Sequence, residues 1–262
     1  MIISRYLPAR LRRTVIAPRF LERLNKAQTV VGGPFKGMRY CGEAVCGAAA
    51  PKIPGTYESE LAPFLLKWSV IPFRHIIDVG AAEGYYAVGC AMLWPQATVT
   101  AFETSEHGRR LLRRNVELNG LQARIRIMGH SGRQQLHIAT VNCQTLLVIM
   151  DVEGAEGELL NPGNVPGLAN AHIIVEIHDF IDEQLGDIVL SHLKPTHVVE
   201  EVRMQRRTFL DFHEPRALWL RLLLLPYLKE YAKERPEGMR WFCCTPTPLK
   251  FRLEQTQCRK GS

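Results

Sequence analysis

Short apolar runs alternate with segments of helical spacing through most of the chain. The apolar runs, each predicted to be a strand, lie at 75–79, 98–103, 124–128, 146–150, 172–177 and 197–202. Helical patterns over 82–93 and 106–119 predict crossover connections, and this alternation favours a mostly parallel sheet with helices on both faces. A last apolar run at 240–245 predicts a closing, antiparallel strand. The pattern therefore predicts a seven-stranded α/β fold.

Two parts of the chain fall outside this alternation. Residues 1–70 are predicted to form a basic N-terminal cap, with one or two short helices before residue 28 and a helix over 57–68. An insert at about 203–239, with a helix predicted over 216–234, precedes the last strand. We therefore predict a cap at 1–70 and a main domain at 71–262 that carries the insert.

The first predicted strand ends in a turn that contains two glycines. Asp78 ends the strand, Gly80 and Gly84 stand four residues apart, and Glu83 lies between them. A dinucleotide site uses G-x-G-x-x-G and places a pyrophosphate at a helix N-terminus, where Glu83 would repel it. A ligand without phosphate and with a cationic head, such as S-adenosylmethionine, suits this turn better. The alternative is an ordinary strand–turn–helix with a solvated Glu83.

Residues after the next two predicted strands extend the same hypothesis. Glu103 ends the second strand, at about the distance at which an acid accepts hydrogen bonds from ribose hydroxyls. His130 follows the third strand, with Ser131 beside it. These two residues either contact the adenine or form a turn.

Acids and a histidine follow the fourth and fifth predicted strands. Asp151, Glu153 and Glu156 come directly after one strand, and His178 follows the other. The carboxyl ends of parallel strands meet at one edge of a sheet, where open α/β sheets bind their ligands. If the acceptor of a methyl group is a hydroxyl, a nearby base must remove its proton. We rank the candidates His178, Asp151 and then Glu153, because a histidine has the most suitable ordinary pKa.

Purely structural roles are alternatives for the same residues. Glu156 is also suited to begin a helix, and His178 to make a local hydrogen bond. A divalent metal held by side chains among Asp151, Glu153, Glu176 and His178 would have mostly oxygen ligands, which is compatible with magnesium. Carboxylates that balance a cationic cofactor explain them equally well, so we predict no metal site.

Several of these motifs together resemble the FkbM-type family of S-adenosylmethionine-dependent methyltransferases. The matching stretches are Asp-Val-Gly-Ala-Ala-Glu-Gly-Tyr-Tyr at 78–86, Ala-Phe-Glu at 101–103, Asn115 to Asn119, Asp-Val-Glu-Gly-Ala-Glu at 151–156 and Val-Glu-Ile-His at 175–178. The resemblance covers about residues 73–180, and the stretch at 151–156 is its most specific part. Residues 1–70 and 203–239 match no pattern of the family.

The resemblance implies a Rossmann-like fold and methyl transfer to a hydroxyl of a sugar or another small natural product. It also implies which residues hold the cofactor, and which one faces the reacting methyl group. The cofactor residues are Asp78, Gly80, Ala82, Gly84 and Glu103, and the reaction-centre residue is Asp151.

The distribution of charge along the chain bears on the partners of the protein. Much of the net charge of +7 comes from the first forty residues, which suit a solvated basic face or contact with a membrane surface, a nucleic acid or an anionic substrate. Nucleic-acid methylation is disfavoured, because acids at the reaction centre repel phosphates and the fourth strand lacks an Asn/Asp-Pro-Pro-aromatic motif. A non-catalytic, cofactor-binding scaffold is a further alternative.

The seven cysteines match no zinc spacing and indicate a reducing compartment. No secretory segment and no apolar run long enough to span a bilayer is apparent, so we predict a cytoplasmic protein.

Overall fold

The computed structural model describes residues 29–45, 49, 51–205 and 238–248. The strands are β1 (His75–Val79), β2 (Thr98–Phe102), β3 (Ile125–Met128), β4 (Leu146–Met150), β5 (His172–Ile177), β6 (His197–Arg203) and β7 (Arg240–Pro246). The α-helices are α1 (Ala62–Trp68), α2 (Tyr85–Leu93), α3 (Glu106–Leu118), α4 (Arg133–Thr140), α5 (Glu156–Leu159) and α6 (Leu185–Leu193). Short 3₁₀ helices span Ser59–Leu61 and Pro166–Asn170. The helices predicted before residue 28 and within the insert lie outside the described residues.

The seven strands form one sheet in the order β3-β2-β1-β4-β5-β7-β6. Neighbours from β3 to β5 pair in parallel, whereas β7 runs antiparallel to both β5 and β6. The predicted Rossmann-like, mostly parallel sheet with an antiparallel last strand is confirmed. Val79 lies opposite both Phe102 and Met150, so β1, β2 and β4 end level with one another.

Helices and loops cover both faces of the sheet over two hydrophobic clusters. Because side chains alternate along a strand, Ile76 of β1 belongs to one cluster and Ile77 to the other. The first cluster also contains side chains of α2 and α3, and the second contains side chains of α4 and α6. Burial on both faces explains why β4 is a continuous apolar run and why β1 and β5 are mostly apolar.

The described part of the cap packs into the first cluster. The ring of Phe35 lies edge-on to Tyr85 and Tyr86 of α2, with centroids 5.3 and 5.7 Å away. The backbone N–H of Cys41 donates to Asn115 Oδ1 of α3 at 2.7 Å. These contacts fix the cap against the two helices that follow β1 and β2. A domain boundary at residues 70 and 71 stays a prediction.

Two predicted helix starts were wrong, and left-handed residues explain both. The helix after β1 begins at Tyr85, not at residue 82, because Ala82 and Gly84 have φ of 49° and 86°. The helix expected from residue 57 begins as a 3₁₀ turn at Ser59, after Glu58 with φ of 44°. A left-handed residue cannot continue a right-handed helix.

The described cysteines are free thiols, as a reducing compartment favours. These are Cys41, Cys90, Cys143, Cys243 and Cys244, and all except Cys143 are buried. Within the described ranges, the helices are too short or too polar to cross a membrane.

Candidate functional site

The glycine turn joins β1 to α2 and touches the end of β4. A Cβ on Gly80, whose φ is 84°, would lie 1.7 Å from the carbonyl oxygen of Asp151. A Cβ on Gly84 would lie 2.1 Å from Leu112 Cδ1 of α3. Packing within the chain therefore requires both glycines, independently of any ligand.

Two cavities open on either side of this turn. The larger has a volume of about 260 Å³ and is lined by the segments that follow β2, β3 and β4. The smaller has a volume of about 40 Å³ and lies between β1, β4, β5, α2 and the cap. Both are lined by Gly80, Ala82 and Asp151, so they meet at the end of β1. An elongated ligand could occupy both.

Glu103 lies at the wall of the larger cavity, at the end of β2. Its Oε2 accepts a hydrogen bond from the backbone N–H of Ala82 at 2.7 Å, and its Oε1 accepts one from that of Ser105 at 2.6 Å. The side chain is 8% exposed. Each carboxylate oxygen can accept a second hydrogen bond, so Glu103 can bind a donor in the cavity while the backbone holds it in place.

Glu83 is fully buried, and its carboxylate is occupied by the cap. It forms an ion pair with Lys52, and it accepts hydrogen bonds from Tyr40 Oη at 2.8 Å and from the N–H of Val45 at 3.0 Å. Lys52 neutralises the charge that was expected to repel a pyrophosphate, so that part of the sequence reasoning does not hold. Glu83 still lines the smaller cavity, and its role as a cofactor-binding residue stays a prediction.

Each cavity contains a buried polar atom without a hydrogen-bond partner in the described part of the chain. In the smaller cavity it is Asp78 Oδ2, and in the larger it is Ser131 Oγ. Burial and the negative charge of Asp151 raise the pKa of Asp78 to about 8. His130 is exposed at the edge of the larger cavity, so Ser131 is the more enclosed of the two residues.

Four carboxylates surround the buried imidazole of His178, which directly follows β5. Its Nδ1 lies 2.6 Å from Glu156 Oε1. Its Nε2 lies 3.3 Å from Asp151 Oδ1, and 3.6 Å from both Glu153 Oε2 and Glu176 Oε1. The sequence prediction that acids after β4 and a histidine after β5 converge is met by this geometry.

These acids change the order of the candidate bases. Burial lowers the pKa of His178, but the neighbouring carboxylates of Asp151 and Glu156 outweigh that effect and raise the pKa to about 10. The imidazole is then protonated near neutral pH and cannot accept another proton. Asp151, which is part-exposed and lines both cavities, therefore becomes the first candidate.

The cap contributes residues that sequence reasoning did not identify. Lys52, Tyr57 and Glu58 line the smaller cavity, as do Glu176 of β5 and Trp241 of β7. The only sequence signal at the cap was a run of aromatic and charged residues near a predicted helix start. The contact between this part of the cap and the glycine turn, about thirty residues later in the chain, depends on tertiary packing.

The sequence matches no family model and no curated protein. Solved structures with a similar fold include cofactor-bound Rv0187 from MTB, at 12% identity, covering 90% of this chain and 94% of that one, with a TM-score of 0.47. A precorrin-6Y C5,15-methyltransferase from Geobacter metallireducens GS-15 has 12% identity, coverage of 71% and 85%, and a TM-score of 0.47. A fibrillarin–Nop5p complex has 14% identity, coverage of 84% and 92%, and a TM-score of 0.46.

Proposed function

We propose that this protein is an S-adenosylmethionine-dependent methyltransferase that acts on a hydroxyl of a small molecule or carbohydrate. The observation that carries the proposal is the pair of cavities that meet at Gly80, each with an unpartnered buried polar atom. S-adenosylmethionine has a nucleoside at one end and an ammonium at the other. Its two polar ends suit the unpartnered polar atoms of the two cavities.

Different residues would bind the two ends of the cofactor. Glu103 would accept hydrogen bonds from the ribose hydroxyls, and Ser131 would bond to the nucleoside in the larger cavity. Asp78 would accept a hydrogen bond from the ammonium, which also offsets the cost of burying its carboxylate. Gly80 and Ala82 line the junction between the two ends.

Bound S-adenosylmethionine supplies the methyl group, and the chain must orient the acceptor and remove its proton. Orientation accounts for much of the acceleration in a displacement of this kind. Asp151 is placed to accept the hydroxyl proton, because it lies where the two cavities meet.

Residues beside His178 indicate the class of acceptor. Phe180 is 73% exposed, and its ring lies 5.4 Å from the His178 ring. Ile181 is also exposed next to it. An exposed aromatic surface suits the apolar face of a sugar or another ring compound, whereas the exposed carboxylate of Glu153 would repel a phosphate backbone. We therefore favour a neutral or cationic small acceptor over a nucleic acid.

Calorimetric titration of the full chain with S-adenosylmethionine tests the proposal. We expect saturable binding, and we expect Glu103→Gln to weaken it by about 10-fold or more, because charged hydrogen bonds contribute about 1.5–3 kcal/mol. Glu106→Gln is the matched control, since Glu106 is exposed and three residues away. A folded chain that does not bind the cofactor would refute the proposal. Binding without methyl transfer to any hydroxyl compound would favour the scaffold alternative.

A further inference from the structure

We propose that Asp151, Glu153 and His178 form a binding site for a divalent metal ion of the manganese or zinc type. The site lies beside the junction of the two cavities and involves segments after β4 and β5. Asp151 is part-exposed, Glu153 is exposed and His178 is buried. The three side chains offer two carboxylate oxygens and one imidazole nitrogen, all within 4.8 Å of one another.

The distances from His178 Nε2 to the two acids exceed that of a charge-assisted hydrogen bond and are close to the spacing of two ligands of a shared ion. Nitrogen and oxygen ligands lie about 2.0–2.2 Å from such a metal, so two adjacent ligands are about 3.0–3.5 Å apart. The observed separations from Nε2 are 3.3 Å to Asp151 and 3.6 Å to Glu153. A charge-assisted N–H···O hydrogen bond would instead be about 2.7–2.9 Å long.

The other ring nitrogen of His178, Nδ1, makes a shorter contact with a buried acid. His178 Nδ1 lies 2.6 Å from Glu156 Oε1, and both side chains are buried. Histidine ligands of metals commonly donate from one ring nitrogen to a carboxylate while the other nitrogen binds the ion. An ion at Nε2 would displace the proton that the imidazole carries in the metal-free chain. His178 Nε2 is buried, makes no hydrogen bond within the described part of the chain and is directed toward Asp151 and Glu153. The buried Nε2 without a hydrogen bond is a second observation, in addition to the cluster of acids.

The donor set favours one class of ion. Magnesium prefers oxygen ligands and retains several waters, whereas imidazole nitrogen suits manganese, iron and zinc. Three protein ligands leave coordination positions open, as in catalytic sites. If the proposed methyl transfer is correct, an acceptor hydroxyl bound at an open position would lose its proton more readily. The ion would lower the pKa of that hydroxyl, and the carboxylate oxygen of Asp151 that does not bind the ion would accept its proton.

Titration of the metal-free full chain with Mn²⁺, followed by electron paramagnetic resonance and calorimetry, tests this site. We expect one tightly bound ion per chain and a loss of affinity of about 10-fold or more in His178→Ala and in Glu153→Gln. Glu153 is 61% exposed, so its variant should fold even if His178→Ala does not. Glu158→Gln is the matched control, because Glu158 is exposed on α5 and pairs with Arg133.

Two outcomes would overturn the metal site. One is a folded chain that binds neither Mn²⁺ nor Zn²⁺, and the other is binding that Glu153→Gln leaves unchanged. Binding of S-adenosylmethionine in the presence of EDTA separates this inference from the proposed function. Cofactor binding without metal binding would refute the metal site alone, and metal binding without cofactor binding would refute the proposed function alone.

Discussion

Glu83 lies in the glycine turn and Glu103 lies beside it, at the end of β2. Both acids are buried, but their carboxylates have different kinds of partner. The carboxylate of Glu83 is occupied by Lys52, Tyr40 and the backbone of the cap. Glu103 is held by two backbone N–H groups and lines the larger cavity. A buried acid paired with a charged side chain fixes one part of the structure to another. An acid held by backbone donors next to a cavity remains able to bind a ligand.

The largest expected effect follows from breaking the pair at Glu83. Lys52→Met removes one partner of a buried ion pair and leaves the other charge uncompensated, so the free energy of unfolding should fall by about 3–5 kcal/mol. Urea denaturation measures this. Lys67→Met, on an exposed lysine of α1, is the control. Adding Glu83→Gln to Lys52→Met should restore much of the loss, and a double variant no more stable than Lys52→Met would contradict this account.

A smaller effect is expected at Asp78, a third buried acid of this turn, whose Oδ2 has no partner in the described ranges. Its pKa rises from an ordinary 3.8 to about 8 in the fold, so the folded chain holds a proton that the unfolded chain releases. The wild type should therefore lose stability as the pH rises from about 4 to about 8.

Asp78→Asn removes this ionisation. The variant should be more stable than the wild type by a few kcal/mol near pH 9 and about equal to it near pH 4, because one pKa unit corresponds to about 1.4 kcal/mol. Urea denaturation across this range, with exposed Asp187→Asn as control, measures the difference. A difference that does not change with pH would mean that Asp78 is not buried as a neutral acid. The same variant should weaken cofactor binding, since Asp78 would face the ammonium.

The local pattern of apolar residues was enough to predict the strands. The bounds of β1, β4 and β5 agree with the sequence prediction, because strands buried on both faces read as continuous apolar runs. Helices α4 and α6 were not predicted. The first is short and mostly polar, and the second has only nine residues, so neither shows a long amphipathic pattern.

The site was predictable only in part, because its electrostatics depend on residues far apart in the sequence. The positions of Asp78, Glu103 and Asp151 follow from the rule that ligands bind at strand ends. The partner of Glu83 is Lys52, which is 31 residues away, and no local pattern indicates that contact. The protonation of His178 likewise depends on carboxylates from more than one segment, which its ordinary pKa could not indicate.

A crystal structure of the full chain with S-adenosylhomocysteine, the product of the cofactor, tests the central claim most directly. We predict the nucleoside in the larger cavity, with ribose hydroxyls about 2.5–3.0 Å from the Glu103 carboxylate, and the ammonium directed toward Asp78. The Glu83–Lys52 pair should remain intact. A ligand bound outside these two cavities, or a ribose without contact to Glu103, would contradict the account.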